Sequence, residues 1–99
     1  MTNETAQSIS RWAEETFGPV KSNYQIAVRA NLEMAELLKE LASDDSAYNT
    51  LEEIADIVIV LARIVDREGQ TLQGIINDKM IVNRARQWKL DGNGQGYHV

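Results

Sequence analysis

Apolar positions along this chain fall into four stretches separated by short polar or glycine-containing breaks, and within each stretch they recur at helical spacing. Asn3 or Thr5 can cap a first helix to about Phe17, with Ile9, Trp12, Ala13 and Phe17 near one side. Gly18-Pro19 ends it. Ser22 or Asn23 opens a second helix to about Ala42, striped by Ile26, Ala30, Leu37 and Leu41 with Leu38 alongside. Ser43-Asp44-Asp45-Ser46 reads as a turn that also supplies the cap for a third helix, from about Ala47 to Arg67. Gly69 breaks that helix, and Thr71 starts a fourth to about Leu90. Residues 91–99, rich in glycine, read as a flexible tail behind a helical domain of residues 1–90.

The run Ile57-Val58-Ile59-Val60 taken alone would suit a strand. Its setting favours helix, because Leu51 to Arg67 contains neither glycine nor proline and is longer than most strands. Apolar residues there go nearly all round the helix, which marks a segment buried on several sides. A monomeric four-helix bundle has no need of that, so the expectation is an all-α bundle completed by oligomerisation.

Composition narrows the class. A length of 99 residues allows one domain with a limited core. The longest apolar run, Ile57 to Ala62, is too short to span a bilayer, so no membrane partner is expected. No secretory signal is visible and cysteine is absent, which makes a cytoplasmic location the default and removes thiolate chemistry. A net charge of -5 argues against nucleic-acid binding. The charge is also unevenly spread. Glu33 to Asp56 holds eight acidic residues and one basic one, whereas Lys79 to Lys89 holds four basic residues and no acidic one.

The acidic segment contains two pairs of equal spacing, Glu33-x-x-Glu36 and Glu53-x-x-Asp56. Residues three apart share a helix face, so each pair aims two carboxylates the same way. Hard oxygen ligands so clustered suit Mg²⁺, with Mn²⁺ as the alternative. Asp56, between Ala55 and Ile57, is the sharpest case, since a carboxylate buried among apolar neighbours needs a partner. The blander alternative is a solvated face, with Glu33 or Glu36 pairing Arg29 or Lys39. A di-metal oxygen-activating bundle would want Glu-x-x-His motifs, and the one histidine, His98, lies in the tail. Lys79, Asn83 and Arg86 share a face at i, i+4 and i+7 and make a phosphate-binding stripe. Trp12, Tyr24 and Trp88 are large enough to stack on a base, although such residues more often pack in cores or interfaces.

The segments Leu32-Glu33-Met34-Ala35-Glu36 and Glu53-Ile54-Ala55-Asp56, separated by sixteen residues, followed by Lys79 to Trp88, resemble the MazG-like, all-α nucleoside triphosphate pyrophosphohydrolases. The likeness runs from about Arg29 to Trp88. It departs at Leu32, where the family carries a first glutamate. The resemblance implies Mg-dependent cleavage of a (deoxy)nucleoside triphosphate between its α and β phosphates, to a monophosphate and pyrophosphate, in clearing the nucleotide pool. It implies metal binding by Glu33, Glu36, Glu53 and Asp56. Glu36 is its candidate acceptor of water's proton, with Glu53 beside it as a catalytic residue. Lys79, Asn83 and Arg86 would hold phosphates, and Trp12 would lie near the base. A homodimer or homotetramer is implied as well. The rival class is a non-catalytic helical module of the same fold that binds a nucleotide or a protein.

Overall fold

The computed structural model of the chain describes residues 3–43 and 47–99. It is helical, with α1 (Ala6–Phe17), α2 (Asn23–Ala42), α3 (Ala47–Arg67) and α4 (Leu72–Ala85) followed by a hairpin of β1 (Trp88–Leu90) and β2 (Gly96–His98). Side chains at three helix starts explain the boundaries. Thr5 Oγ1 accepts from the Ser8 amide at 3.0 Å while the Thr5 amide donates to Ser8 Oγ at 2.8 Å. Ser22 Oγ and Thr71 Oγ1 accept from the Gln25 and Gly74 amides at 3.2 and 3.0 Å. Gly18 closes α1 at φ 88, a backbone conformation that side chains disfavour. The turn expected at Ser43 to Ser46 lies largely outside the described residues. No helix among the described residues is long and apolar enough to cross a membrane.

The β-branched run is indeed helical, and α3 is the central element, packed against both α1 and α2. α2 and α3 are antiparallel. Arg67 Nε donates to Asn23 Oδ1 at 2.7 Å, and Asn23 Nδ2 donates to Glu68 Oε1 at 2.7 Å, tying the start of α2 to the end of α3. The face of α1 turned inward is Ala6, Ser10 and Ala13; of the expected stripe Ala13 is buried and Ile9 half-buried, whereas Trp12 and Phe17 are not. Small side chains there suit close packing of α1 on α3, and both aromatic rings are left largely exposed.

A single chain covers α3 on one side, and α4 ends earlier than expected. Only Ile57 and Ala62 of α3 are buried, because α1 and α2 cover one side of it; Leu51, Ile54, Val58, Ile59 and Leu61 stay exposed in the single chain. α4 stops at Ala85 instead of Leu90, with Arg86 already extended at φ -82, ψ 153. The indole Nε1 of Trp88 donates to the Asn83 carbonyl at 2.8 Å, occupying an acceptor at the helix end. Residues expected to form a loose tail pair back on the chain, with Trp88 opposite His98 and Leu90 opposite Gly96. Asp91 Oδ1 holds the turn by accepting from the Asn93 and Gln95 amides at 2.8 and 3.1 Å. His98, expected to be unstructured, lies edge-on to Trp88 and within 3.3 Å of Arg86 Nη1.

Candidate metal and nucleotide site

The antiparallel pairing of α2 and α3 carries the acidic pairs toward each other. Glu33, Glu53 and Asp56 offer carboxylate oxygens that all lie within 4.8 Å of one another. Glu33 and Glu53 are half-buried, whereas Asp56 is exposed, contrary to the burial expected from its apolar neighbours. Asp56 borders a cleft. Glu36, expected in the same set, is exposed and stands outside the three converging acids. Its position three residues after Glu33 turns it about 60° around α2.

Electrostatics mark the same spot. Burial against the helix pair is the first reason that the Glu53 carboxyl is pushed above its ordinary value. The charges of Asp56, Glu33, Glu36 and Glu52 add to that effect in the same direction. Glu36 therefore acts on the site by charge even though it is not among the converging oxygens. Glu33, with only 14% of its side chain exposed, pairs with Arg29 across one helical turn at 2.8 Å. This is the ion pair foreseen as the blander fate of Glu33, and it leaves the three acids plus Arg29 with a formal charge of about -2.

The donor set fits a hard divalent cation. Opposite ligands of one Mg²⁺ stand about 4.2 Å apart, twice a bond of about 2.1 Å. Of three such ligands at most one pair stands opposite, and the others are adjacent at about 3.0 Å, so oxygens within 4.8 Å would draw together by up to about 0.6 Å for the first pair and about 1.8 Å for the others, within reach of side-chain rotation.

The cleft beside these acids has a volume of about 560 Å³, within the range of small-molecule sites. Glu33 and Asp56 line it, together with Trp12, Phe17, Arg29 and Arg63. Trp12 and Phe17 meet edge to face at 5.4 Å, making an aromatic wall on the α1 side. Arg63 Nη2 donates to the Gly18 carbonyl at 3.2 Å and so pins the α1–α2 turn. Trp12 lines the cleft, and so do Phe17, Gln25, Arg29 and Arg63, which the sequence does not assign to a site. Arg63 did carry a signal, since a lone guanidinium inside an apolar helix must reach a partner.

The basic stripe is not gathered here. No residue of α4 borders the cleft, and α4 has no buried residue. Lys79 and Asn83 remain on the helix, but Arg86 lies beyond its end, so the three do not form one helical face. Tyr24 is exposed and lines none of the pockets described, and Trp88 belongs to the hairpin.

No family model, curated protein or solved structure matches the chain.

Proposed function

We propose that this chain is a Mg²⁺-dependent nucleoside triphosphate pyrophosphohydrolase of the MazG-like, all-α type. The observation that carries the proposal is the convergence of Glu33, Glu53 and Asp56 at the edge of a cleft walled by Trp12 and Phe17. Acids alone would hold a cation; acids beside an aromatic-walled cleft suit a cation, a phosphate chain and a base together. Glu33, Glu53 and Asp56 hold the metal, with Glu36 deepening the negative field around it. When bound, the divalent ion neutralises phosphate charge and acidifies water. In the hydrolysis, a water oxygen bonds to phosphorus and the α–β bridging P–O bond breaks. Pyrophosphate leaves, and the proton of water passes to a carboxylate, for which Glu36 is the candidate base with Glu53 beside it. Arg29 orients Glu33 and places a cation next to the phosphates.

The active form is a homodimer or homotetramer. Its support is the apolar surface of α3 that α1 and α2 leave open, together with exposed Ile76 and Ile81 on α4. Because α4 does not border the cleft of its own chain, Lys79, Asn83 and Arg86 reach the phosphates from a neighbouring copy. Mixing Asp56→Asn protein with Lys79→Ala protein should then restore part of the activity that each has lost. No restoration after subunit exchange would place both residues in one chain's site.

The function itself is tested by incubating purified protein with Mg²⁺ and a panel of nucleoside and deoxynucleoside triphosphates, and separating the products. Monophosphate and pyrophosphate in equal amounts are expected. Nucleotide binding without turnover would instead make the chain a non-catalytic module of the same fold.

A further inference from the structure

The cleft has two chemically distinct ends. Along α2 its lining runs from Gln25 to Glu33, and along α3 from Arg63 to Asp56. Those separations of eight and seven residues correspond to roughly 12 and 10 Å of helix rise. Glu33, Asp56 and Arg29 mark one end. The α1–α2 turn, Gln25, Arg63 and Phe17 mark the other, because Arg63 is bonded to Gly18 and Gln25 to Lys21. A guanidinium one cleft-length from the acids is too far along to share their phosphate.

Two side chains at the turn end, Gln25 and Arg63, keep donors to offer a ligand. Gln25 Oε1 accepts from the Lys21 amide at 2.9 Å, which turns the oxygen to the backbone and leaves both Nε2 hydrogens for a ligand. Arg63 spends one N–H on the Gly18 carbonyl and keeps the others, with no acceptor of its own. A flat ligand slid along Trp12 and Phe17 would therefore meet hydrogens at its edge. A 6-oxopurine presents two adjacent acceptors, O6 and N7, to such donors; adenine presents N7 beside an amino group, which would leave donor facing donor.

We propose that the turn end of the cleft is a base subsite selective for 6-oxopurines, guanine or hypoxanthine, over adenine. Arg63 and Gln25 read the edge, and Trp12 and Phe17 cover the face. This rests on the nucleotide-hydrolase reading, and it names the substrate class of that same cleft.

The test uses monophosphates, which bind without being turned over. Affinities of IMP, GMP and AMP are measured by calorimetry for the full chain and for Gln25→Glu. Glutamate keeps the acceptor for Lys21 and replaces the free donor by an acceptor, so the turn should hold its shape. IMP and GMP should bind the unmodified chain at least about fivefold tighter than AMP, the lower bound for one well-matched base edge. Gln25→Glu should lose or reverse that preference. Equal binding of IMP and AMP, a preference for AMP, a preference unchanged in Gln25→Glu, or no binding of any of the three would each overturn the proposal. Pyrophosphate release that ignores the base overturns the subsite alone. Selective binding without pyrophosphate release supports the subsite and overturns the catalytic reading instead.

Discussion

Neutralising one acid of the cluster should change the protein's stability in opposite directions with and without metal. Glu33, Glu53 and Asp56 bring three carboxylates within 4.8 Å, balanced by one guanidinium, Arg29. Without metal this excess of negative charge opposes the fold. With metal it is the source of affinity, because a cation that binds only the folded state stabilises it by RT ln(1 + [L]/Kd). At a free Mg²⁺ concentration of 100 Kd the gain is about 2.7 kcal/mol, or roughly 10–20 °C in Tm for a domain near this size. Asp56→Asn removes a ligand and the largest single charge acting on Glu53. If it weakens binding tenfold, the gain at the same Mg²⁺ concentration drops to about 1.4 kcal/mol, or roughly 6–11 °C. Thermal scans of both proteins, with EDTA and across a Mg²⁺ titration, give the comparison. The expected pattern is an Asn variant at least as stable as the parent in EDTA and less stable at high Mg²⁺. Equal Mg²⁺ shifts in the two proteins, or a variant that is already weaker in EDTA, would refute the assignment of Asp56 to a cation site.

Further expectations concern pH, packing and the hairpin. Because the Glu53 carboxyl is raised above its value of 4.5, its ionisation disfavours the metal-free fold; that penalty is absent below pH 4.5 and complete above the folded-state value. In EDTA, Glu53→Gln should accordingly gain Tm over the parent as pH rises from 4 to 8, and a gain confined to acid pH would contradict the sign. Ile57, at 9% exposure, lies in the core, so Ile57→Ala should cost about 2–5 kcal/mol in urea unfolding. Val58, 43% exposed in the single chain, should cost far less as Ala in a monomer; a loss that matches Ile57→Ala and grows on dilution would show α3 covered by another copy. Trp88→Phe removes the indole donor to Asn83 and should loosen the hairpin by about 0.5–1.5 kcal/mol. Faster amide exchange at Asp91 and Val99, whose amides donate to Gln95 and Gln87, with α1 to α3 unchanged, is the expected readout.

The helices were largely legible in the sequence because their ends are written in local chemistry. Thr5, Ser22 and Thr71 cap, and Gly18 and Gly69 stop, without help from distant residues. The acidic pairs were legible for the same reason, since i, i+3 spacing fixes a shared face. Which member of the first pair turns inward was not legible. That depends on the rotation of α2 against α3, a packing outcome, and it selects Glu33 over Glu36. The end of α4 was missed because nothing between Asn83 and Leu90 is a strong breaker. The helix stops where Trp88 reaches back to Asn83 and residues 88–90 find β2 as a partner, and sequence periodicity does not register strand pairing across a turn. On α1 the spacing of apolar residues pointed to Ala13 but not to Ala6 and Ser10, which flank it on the buried side. Close helix approach selects Ala6, Ser10 and Ala13 for the interface and leaves Trp12 and Phe17 to wall the cleft.

The converging acids at this cleft are proposed to catalyse nucleotide hydrolysis. Pyrophosphate release from nucleoside triphosphates, measured side by side for the chain and for Asp56→Asn at equal folded concentration and saturating Mg²⁺, tests it most directly. Release of pyrophosphate with monophosphate by the chain, abolished by EDTA and by the substitution, is the expected result. No release from any nucleotide, or release that Asp56→Asn leaves intact, would contradict it.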